Sequence, residues 1–497
     1  MKALRCVLVA NRGEIALRII RACHELGIRA VAVYSEADRL APHVLEADEA
    51  HLIGPPQSAQ SYLKAETLID VARRTGCDAV HPGYGFLAER AFFARQVEEA
   101  GLVFVGPPAS AISAMGDKTE ARRRMVDAGV PVVPGIAEPL QDAAAARSVA
   151  AEFGYPVLLK AAAGGGGKGM RVVRAEAELE RAFEAARSEA QSSFGDGSIY
   201  LEKYLARPRH IEIQVMADAH GNVLHFGERD CSVQRRHQKM IEEAPSPALS
   251  PALRARMGET AVAAARAVGY RNAGTIEFLF EDGEFFFLEM NTRIQVEHPV
   301  TELVMGIDLV QWQLRVAAGE ALPFAQDDIR PNGHAIECRI TSEDPANGFL
   351  PSTGRISLLE MPGGPGVRWD GGIAEGVDVG LFYDPLLGKL IVHAPDRESA
   401  MDRMSRALAE LRIVGVETSA SFHRRVMEEP DFRSGDVTIR YLEEHADMLT
   451  LSLSDDVIRS AAVAAALLED ASRTRRGTRR MPADDRTRDG WRAGGWR

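Results

Sequence analysis

Long apolar runs are missing from this chain of 497 residues: none reaches the roughly 18 residues of a membrane-spanning helix, so no transmembrane segment is expected. Cysteine is scarce. The five present, Cys6, Cys23, Cys77, Cys231 and Cys338, are odd in number and lack the paired spacing of a zinc or redox motif, which excludes a disulfide framework and points to a reducing cytoplasm. Internal repeats are not evident. A cleavable leader is not expected either, because Asn11-Arg12-Gly13-Glu14 follows the apolar Cys6 to Ala10 where a cleavage region should be, and the opening stretch reads as a first strand. A Walker A loop is also absent: the Gly167-Lys168 pair would need glycine at 162 and serine or threonine at 169, which hold Ala162 and Gly169.

What is present suits a globular protein, with 46% hydrophobic and 26% charged residues. A single core stops growing at about 250 to 300 residues, so more than one domain is expected. Residues 1–115 alternate strands (Ala3 to Ala10, Arg29 to Tyr34, Ala79 to His81, Val103 to Val105) with helical stretches, the pattern of a parallel α/β layer. Residues 116–330 carry glycine-rich and polar motifs with a mobile lid at about 133–205, and residues 331–447 return to strands, with Gly-Pro turns at Met361 to Gly366. Residues 448–497 run from an alanine-rich helix at Asp455 to Ala471 into a basic tract. That tract has nine arginines against three aspartates over 471–497, lacks the interleaved aromatics of a nucleic-acid platform, and reads as a linker.

Chemistry is concentrated in Glu289-Met290-Asn291-Thr292-Arg293-Ile294-Gln295-Val296-Glu297, whose odd positions are polar and whose even positions are mostly apolar. An extended backbone turns alternate side chains to opposite faces. A plain strand with one wet face gives the same alternation, but Asn and Gln are poor strand formers, and the run emerges from the apolar Phe285 to Leu288. Five polar groups on one face offer carboxylates to a cation and a guanidinium to an anion. Asp282-Gly283 between two apolar runs marks a hairpin, and counting outward places Glu277 within about one residue of facing Glu289. Two such carboxylates need a cation or a proton between them. Magnesium fits, being held by one or two carboxylates plus substrate phosphates.

Phosphate is expected upstream. Ala163 to Met170 holds four consecutive glycines, which suit a flap whose bare N–H groups close over polyphosphate and equally a flexible linker. The preceding Tyr155 to Lys160, a buried-type strand ending in a cation, favours the flap. Ser198 to Leu205 reads as another strand, and Arg209 to Met216 alternates with His210, Glu212 and Gln214 on one side. Glu228 to Lys239 packs Arg229, Arg235, Arg236, His237 and Lys239 into an expected loop. A basic run is usually a solvated face, yet in a chain of net charge -12 it is a natural place for an anionic substrate. Cys231 beside it reads as a structural thiol.

The sequence resembles the biotin carboxylases of the ATP-grasp superfamily through Gly164-Gly-Gly-Gly-Lys-Gly-Met170, Arg229-Asp-Cys-Ser-Val-Gln-Arg-Arg-His-Gln-Lys239 and Glu289 to Glu302. Further matches lie at Ala10 to Ile15, His81 to Leu87, Met115 to Lys118 and Tyr383 to Lys389, covering about residues 1–445. Ser232 to Lys239 and Glu242 to Pro247 look most like the α subunits of acyl-CoA carboxylases of the methylcrotonyl and propionyl types. The resemblance implies an α/β, ATP-grasp fold with an N-terminal parallel α/β domain, a mobile lid and a C-terminal α+β domain. It also implies nucleotide contacts at Lys118, Lys160, Gly165, Gly166, Met170, Glu202, Lys203, Leu205, His210, Gln234, His237 and Leu279. Glu277, Glu289 and Asn291 would hold magnesium or manganese; Lys239, Arg293, Gln295 and Val296 would hold bicarbonate. Glu297 would deprotonate bicarbonate, Arg339 would stabilise the biotin enolate, and Tyr84 would help seat biotin.

The activity so implied is ATP-dependent carboxylation of biotin by bicarbonate through carboxyphosphate, the first half-reaction of an acyl-CoA carboxylase. Its partners would be a biotin carboxyl carrier protein or domain, further copies of this chain and a carboxyltransferase β subunit, with no nucleic acid and no membrane. No Met-Lys-Met biotin-attachment motif occurs, so the carrier is expected on another chain or a missing C-terminal portion, and Gly490 to Trp496 looks like a lead-in to one. Two other classes stand beside this reading. Another bicarbonate-using ATP-grasp ligase, such as a carbamoyl-phosphate-forming enzyme, would take an amine in place of biotin. A catalytically dead scaffold would have lost Glu297 or Arg339, and both are present.

Overall fold

Runs of Val, Leu and Ala too short for helices, each followed by a helical stretch, bury both faces and therefore pair in parallel. In the computed structural model, which describes residues 4–136, 139–161, 170–194, 196–446 and 455–478, five such strands form the N-terminal layer. They are β1 (Cys6–Val9), β2 (Arg29–Ser35), β3 (Glu49–Gly54), β4 (Ala79–His81) and β5 (Val103–Phe104), in the order β3-β2-β1-β4-β5. β3 lacks a continuous apolar run and pairs only along one edge, which is why the sequence pattern misses it. Strand order reverses between β1 and β4, so the loops after both open a crevice at their carboxyl ends. Asn11 ties those loops together, its Nδ2 donating to the carbonyls of Pro82 and Tyr84 at 2.7 Å each.

The lid is a three-stranded antiparallel sheet in which β6 (Val157–Ala161) lies between β7 (Met170–Val173) and β8 (Ile199–Lys203). Helices Ala143–Phe153 and Glu176–Phe194 cover it through a core that includes Leu159, Phe183 and Leu201. The glycine run expected to close over phosphate, with Gly165 and Gly166, lies outside the described residues.

The central sheet has eight antiparallel strands. β9 (Arg209–Ala217), β10 (Val223–Arg235), β11 (Gln238–Ala244), β12 (Asn272–Glu281), β13 (Glu284–Asn291) and β14 (His334–Thr341) run in the order β13-β12-β9-β10-β11-β14. The strands Leu386–Ala394 and Val367–Gly371 complete it. β11 pairs with β14, Ile241 opposite Cys338, so strands on either side of residue 330 share one sheet. Ile211, Ile213 and Val215 of β9 pack with Ile276 and Phe278 against Met257, Ala261 and Ala264 of helix Pro251–Ala267. The alternate residues His210, Glu212 and Gln214 are left to the opposite face.

Two local expectations need correction. The basic segment Glu228 to Lys239 is a hairpin rather than a loop: β10 continues to Arg235, Arg236 (φ 50) and His237 (φ 66) make the tip, and β11 starts at Gln238. Its charges alternate with Cys231, Val233 and Met240, which are buried, and that half of the pattern decides the backbone. The polar ribbon, for its part, is extended only to Asn291. Thr292 to Glu297 is irregular and leads into helix His298–Met305, where Pro299 sits in the first turn because its missing N–H costs nothing there.

Residues 450–497 form a separate unit, described only in the helix Asp455–Thr478, which extends past Ala471. The remainder of the basic tract lies outside the described residues. No helix among the described residues is long and apolar enough to cross a membrane.

Candidate active site

The hairpin β12–β13 turns at Asp282 (φ 51) and Gly283 (φ 83), the two consecutive positive-φ positions of a tight hairpin turn, with Glu281 paired to Glu284. Counting regularly from there, Glu277 would face Leu288. A bulge shifts the register so that Phe278 pairs with Phe287 and Glu277 pairs with Glu289. One extra residue thus moves Glu289 and Asn291 onto the face that carries Glu277, the re-aiming that bulges give next to sites.

Five further side chains converge below this pair. Lys239 Nζ, on β11, lies 2.5 Å from Glu212 Oε2, 2.8 Å from Glu277 Oε1 and 2.7 Å from Glu297 Oε1. The second oxygen of Glu297 accepts from Arg339 Nη2 at 2.9 Å, and Arg339 Nε donates to Glu242 at 2.6 Å. Burial alone would raise the Glu297 carboxyl, but Lys239, Arg339 and Arg229 outweigh it and hold the group well below the ordinary carboxylate range. Burial opposes the charge on Lys239 too, and Glu212, Glu277 and Glu297 overcome it, so its ammonium stays protonated. Glu242 differs: burial pushes it to about 7 despite Arg339, with Glu297 adding repulsion.

Arg229 is fully buried, contrary to its expected place in an anion-binding basic cluster. All five of its donors are used: Nε on Glu212, Nη1 on Gln214 (2.8 Å) and Thr301 (3.0 Å), Nη2 on Thr275 (3.1 Å) and Gln295 (2.7 Å). The planar fork therefore orients Glu212 and Gln295 and touches no solvent. Gln295 passes this on through Nε2, 2.9 Å from Glu277 Oε1. Arg235 stays on the cavity wall, its guanidinium 4.6 Å from the ring centroid of Phe349, which lines the same wall.

Arg293 Nη2 donates to Asn291 Oδ1 at 2.8 Å, and its Nε lies 3.0 Å from Glu89 Oε2. Glu89 belongs to the loop after β4, and no sequence signal marked it. Lys389 ends the matching segment Tyr383 to Lys389, but the sequence assigned it no role. It is fully buried, donates to the Val296 carbonyl at 2.7 Å and sits 3.2 Å from Glu14, to which Tyr84 also donates its hydroxyl proton. Gly372 permits this approach of the C-terminal segment, because a Cβ there would come within 2.6 Å of the Glu14 nitrogen.

These groups line one cavity of about 860 Å³, whose wall includes Tyr84, His210, Gln234, His237, Lys239, Glu277, Glu289, Asn291, Arg293, Gln295, Val296, Glu297 and Arg339. The expected residues on this wall thus gather from the loops of the N-terminal layer, from the central sheet and from the segment after β13. Lys118, Lys160, Met170, Glu202, Lys203, Leu205 and Leu279 are not on that wall. Lys160 is paired with Glu202 across β6 and β8, and Met170 opens β7 on the same lid sheet. Lys203 ends β8 and Leu205 follows it. Leu279 pairs with His210 on β9, and Lys118 begins helix Lys118–Asp127, close enough to Glu289 to favour its ionised form.

The donor chemistry fits a hard cation at the Glu277–Glu289 pair. Glu289 is raised by burial and next by Glu277 itself, so a cation between them would relieve the repulsion. His210, Glu212 and Glu277 also bring ligand atoms within 4.8 Å of one another, but Lys239 already bonds both carboxylates there and supplies that charge.

Comparison with known proteins gives a consistent picture. Residues 3–112 match the family model of the biotin carboxylase N-terminal domain, residues 117–325 that of the carbamoyl-phosphate synthase L chain ATP-binding domain, and residues 337–444 that of the biotin carboxylase C-terminal domain. The chain is 52% identical to biotin carboxylase of Haemophilus influenzae over 90% of this chain and 99% of that one. It is 53% identical to biotin carboxylase of Halalkalibacterium halodurans over 89% and 98%. Among solved structures, the biotin carboxylase domain dimer of Hydrogenobacter thermophilus 2-oxoglutarate carboxylase, in complex with MgADP, ADP and bicarbonate, superposes with a TM-score of 0.83 at 51% identity, covering 91% of this chain and all of that one.

Proposed function

The chain belongs to the biotin carboxylase family and is an ATP-dependent ligase that carboxylates biotin with bicarbonate, and from that premise we propose which of its residues carry each step. The observation that carries the assignment is Glu297, one carboxylate held between Lys239 and Arg339.

Bicarbonate is an anion and a poor electrophile, so it must lose a proton before an oxygen can attack the γ-phosphorus of ATP. Glu297 is ionised and takes that proton. When bicarbonate occupies the donors of Lys239 and Arg293, those cations neutralise Glu297 less, and its basicity rises at the moment of need. Phosphoryl transfer then gives carboxyphosphate and ADP, with Lys239, Arg293, Lys118 and Lys160 compensating the meeting of two anions and His210, Gln234 and His237 holding the nucleotide. Glu277, Glu289 and Asn291 would hold magnesium, which would supply neutralisation of phosphate charge. Carboxyphosphate releases carbon dioxide, and its phosphate removes the ureido proton of biotin. Arg339, freed from Glu297 once that group is protonated, holds the developing enolate while the nitrogen attacks carbon dioxide. Tyr84, on the cavity wall, helps seat biotin, and closure of the lid excludes water from the intermediate.

The division into residues 1–115, 116–330, 331–447 and 448–497 belongs to the same reading. So do a cytoplasmic location, a biotin carboxyl carrier, self-association and a carboxyltransferase β subunit; an acyl-CoA acceptor rests on the residues of Ser232 to Lys239 and Glu242 to Pro247. The test is ADP formation by the purified chain. It is expected to require bicarbonate and magnesium together and to rise with free biotin; ADP formation that ignores bicarbonate, or that responds to an amine instead of biotin, would overturn the reading.

A further inference from the structure

Cys6 and Cys77 are 71 residues apart, yet their sulfurs lie 3.2 Å from one another. Cys6 opens β1 and Cys77 enters β4, and these two strands are parallel neighbours, Val7 opposite Ala79. Asp78 is tied at the same end, its N–H donating to the Cys6 carbonyl at 2.8 Å and its carboxylate accepting from the Cys6 N–H at 3.1 Å. Both thiols are nearly covered, at 5% and 6% exposure, under a rim of exposed Arg5 and Arg29 and half-buried Thr75 and Asp78. The Thr75 hydroxyl is 3.3 Å from the Cys77 sulfur.

From this contact we propose that Cys6 and Cys77 form a reversible dithiol–disulfide site that reacts with small hydroperoxides. The two thiols are not equivalent. Cys77 and the Arg29 guanidinium favour the thiolate of Cys6, which is lowered to about 7, while the proton stays on Cys77. The Cys6 thiolate attacks one peroxide oxygen, breaking the O–O bond and giving a sulfenic acid and hydroxide. The Cys77 sulfur then attacks the Cys6 sulfur, the sulfenic oxygen leaves as water, and the Cys77 proton balances the charge. In sum, two thiols lose two electrons to one hydroperoxide. A dithiol reductant reverses the step.

Its place in the fold sets its consequence. The pair sits at the amino-terminal ends of β1 and β4, whereas the catalytic cavity takes Asn11 and Tyr84 from the loops at their carboxyl-terminal ends. Oxidation therefore staples two strands whose register is already fixed. It leaves turnover in place, and it closes a long loop of the unfolded chain, which stabilises the folded one. This thiol chemistry is independent of the proposed carboxylase steps.

The test is titration of the reduced full-length protein with hydrogen peroxide, followed by free-thiol counting and peptide mapping without reductant. Free thiols should fall from five to three, one peptide pair should be linked through Cys6 and Cys77, dithiothreitol should restore both, and the oxidised protein should melt at higher temperature. In Cys77→Ser the link should vanish and a sulfenic-acid probe such as dimedone should label Cys6. Linkage through Cys23, intermolecular dimers, or Cys6 passing directly to sulfinic acid in the wild type would overturn the proposal.

Discussion

Arg339 and Glu297 are bonded to one another, Nη2 to Oε2 at 2.9 Å, so the group proposed to hold the enolate also restrains the group proposed to deprotonate bicarbonate. The two roles come in sequence. Arg339→Ser removes the enolate partner but leaves Lys239 on the other oxygen of Glu297. Biotin carboxylation is expected to fall by about 10²-fold or more, as for loss of a preorganised oxyanion donor, with bicarbonate-dependent ATP cleavage affected much less. Equal losses in a coupled ADP assay and a labelled-biotin assay would place Arg339 in the earlier step.

Lys389 supports the site from a fully buried position, between the Val296 carbonyl and Glu14. Lys389→Met keeps the stem and removes the charge, leaving the Glu14 carboxyl, already raised by burial, without its cation. Removal of one partner of a buried pair costs about 3 to 5 kcal/mol, and the urea midpoint should drop accordingly. The Val296 turn also loses its tether, so KM for bicarbonate should rise. An unchanged midpoint would show that Lys389 contributes nothing to the closure of this region.

Stability toward acid should depend on Glu302. Burial raises its carboxyl, but Arg18, His298 and Arg368 overcome that and hold it at about 2, against an ordinary 4.5. Arg18 comes from helix Gly13–Glu25 and Arg368 from strand Val367–Gly371, at 2.9 and 2.8 Å, so one carboxylate joins the first and last parts of the larger unit. Its contribution is present above pH 4.5 and is lost as pH falls toward 2, because the unfolded chain takes up the proton first. Chemical denaturation of Glu302→Gln should therefore show lower stability at pH 7 and a shallower decline between pH 4.5 and 2. A parallel displacement of the whole curve would contradict the assignment.

Much of this is legible in the amino-acid sequence. The Asp282-Gly283 turn and the apolar runs fixed Glu277 against Glu289 to within one residue, and the alternation in β9 set His210, Glu212 and Gln214 on one face. The bulge at Leu288 could not be read, since local propensity does not distinguish a regular ladder from one with an extra residue. Nor could the burial of Arg229 and Lys389: charge normally signals solvent, and only the assembled sheet supplies enough acceptors to hold them inside. Cys6 and Cys77 have no informative spacing, because parallel neighbours are brought together by a crossover rather than a turn.

The central claim is that an oxygen of bicarbonate, deprotonated by Glu297, attacks the γ-phosphorus of ATP. It is tested most directly by supplying bicarbonate labelled with 18O and reading the phosphate released before exchange with water scrambles the label. Phosphate from the wild-type enzyme should carry one 18O atom per turnover, and Glu297→Gln should release labelled phosphate at least about 10²-fold more slowly, the usual worth of a positioned base, while still binding ATP. Unlabelled phosphate from the wild type, or undiminished labelling in the variant, would contradict the account.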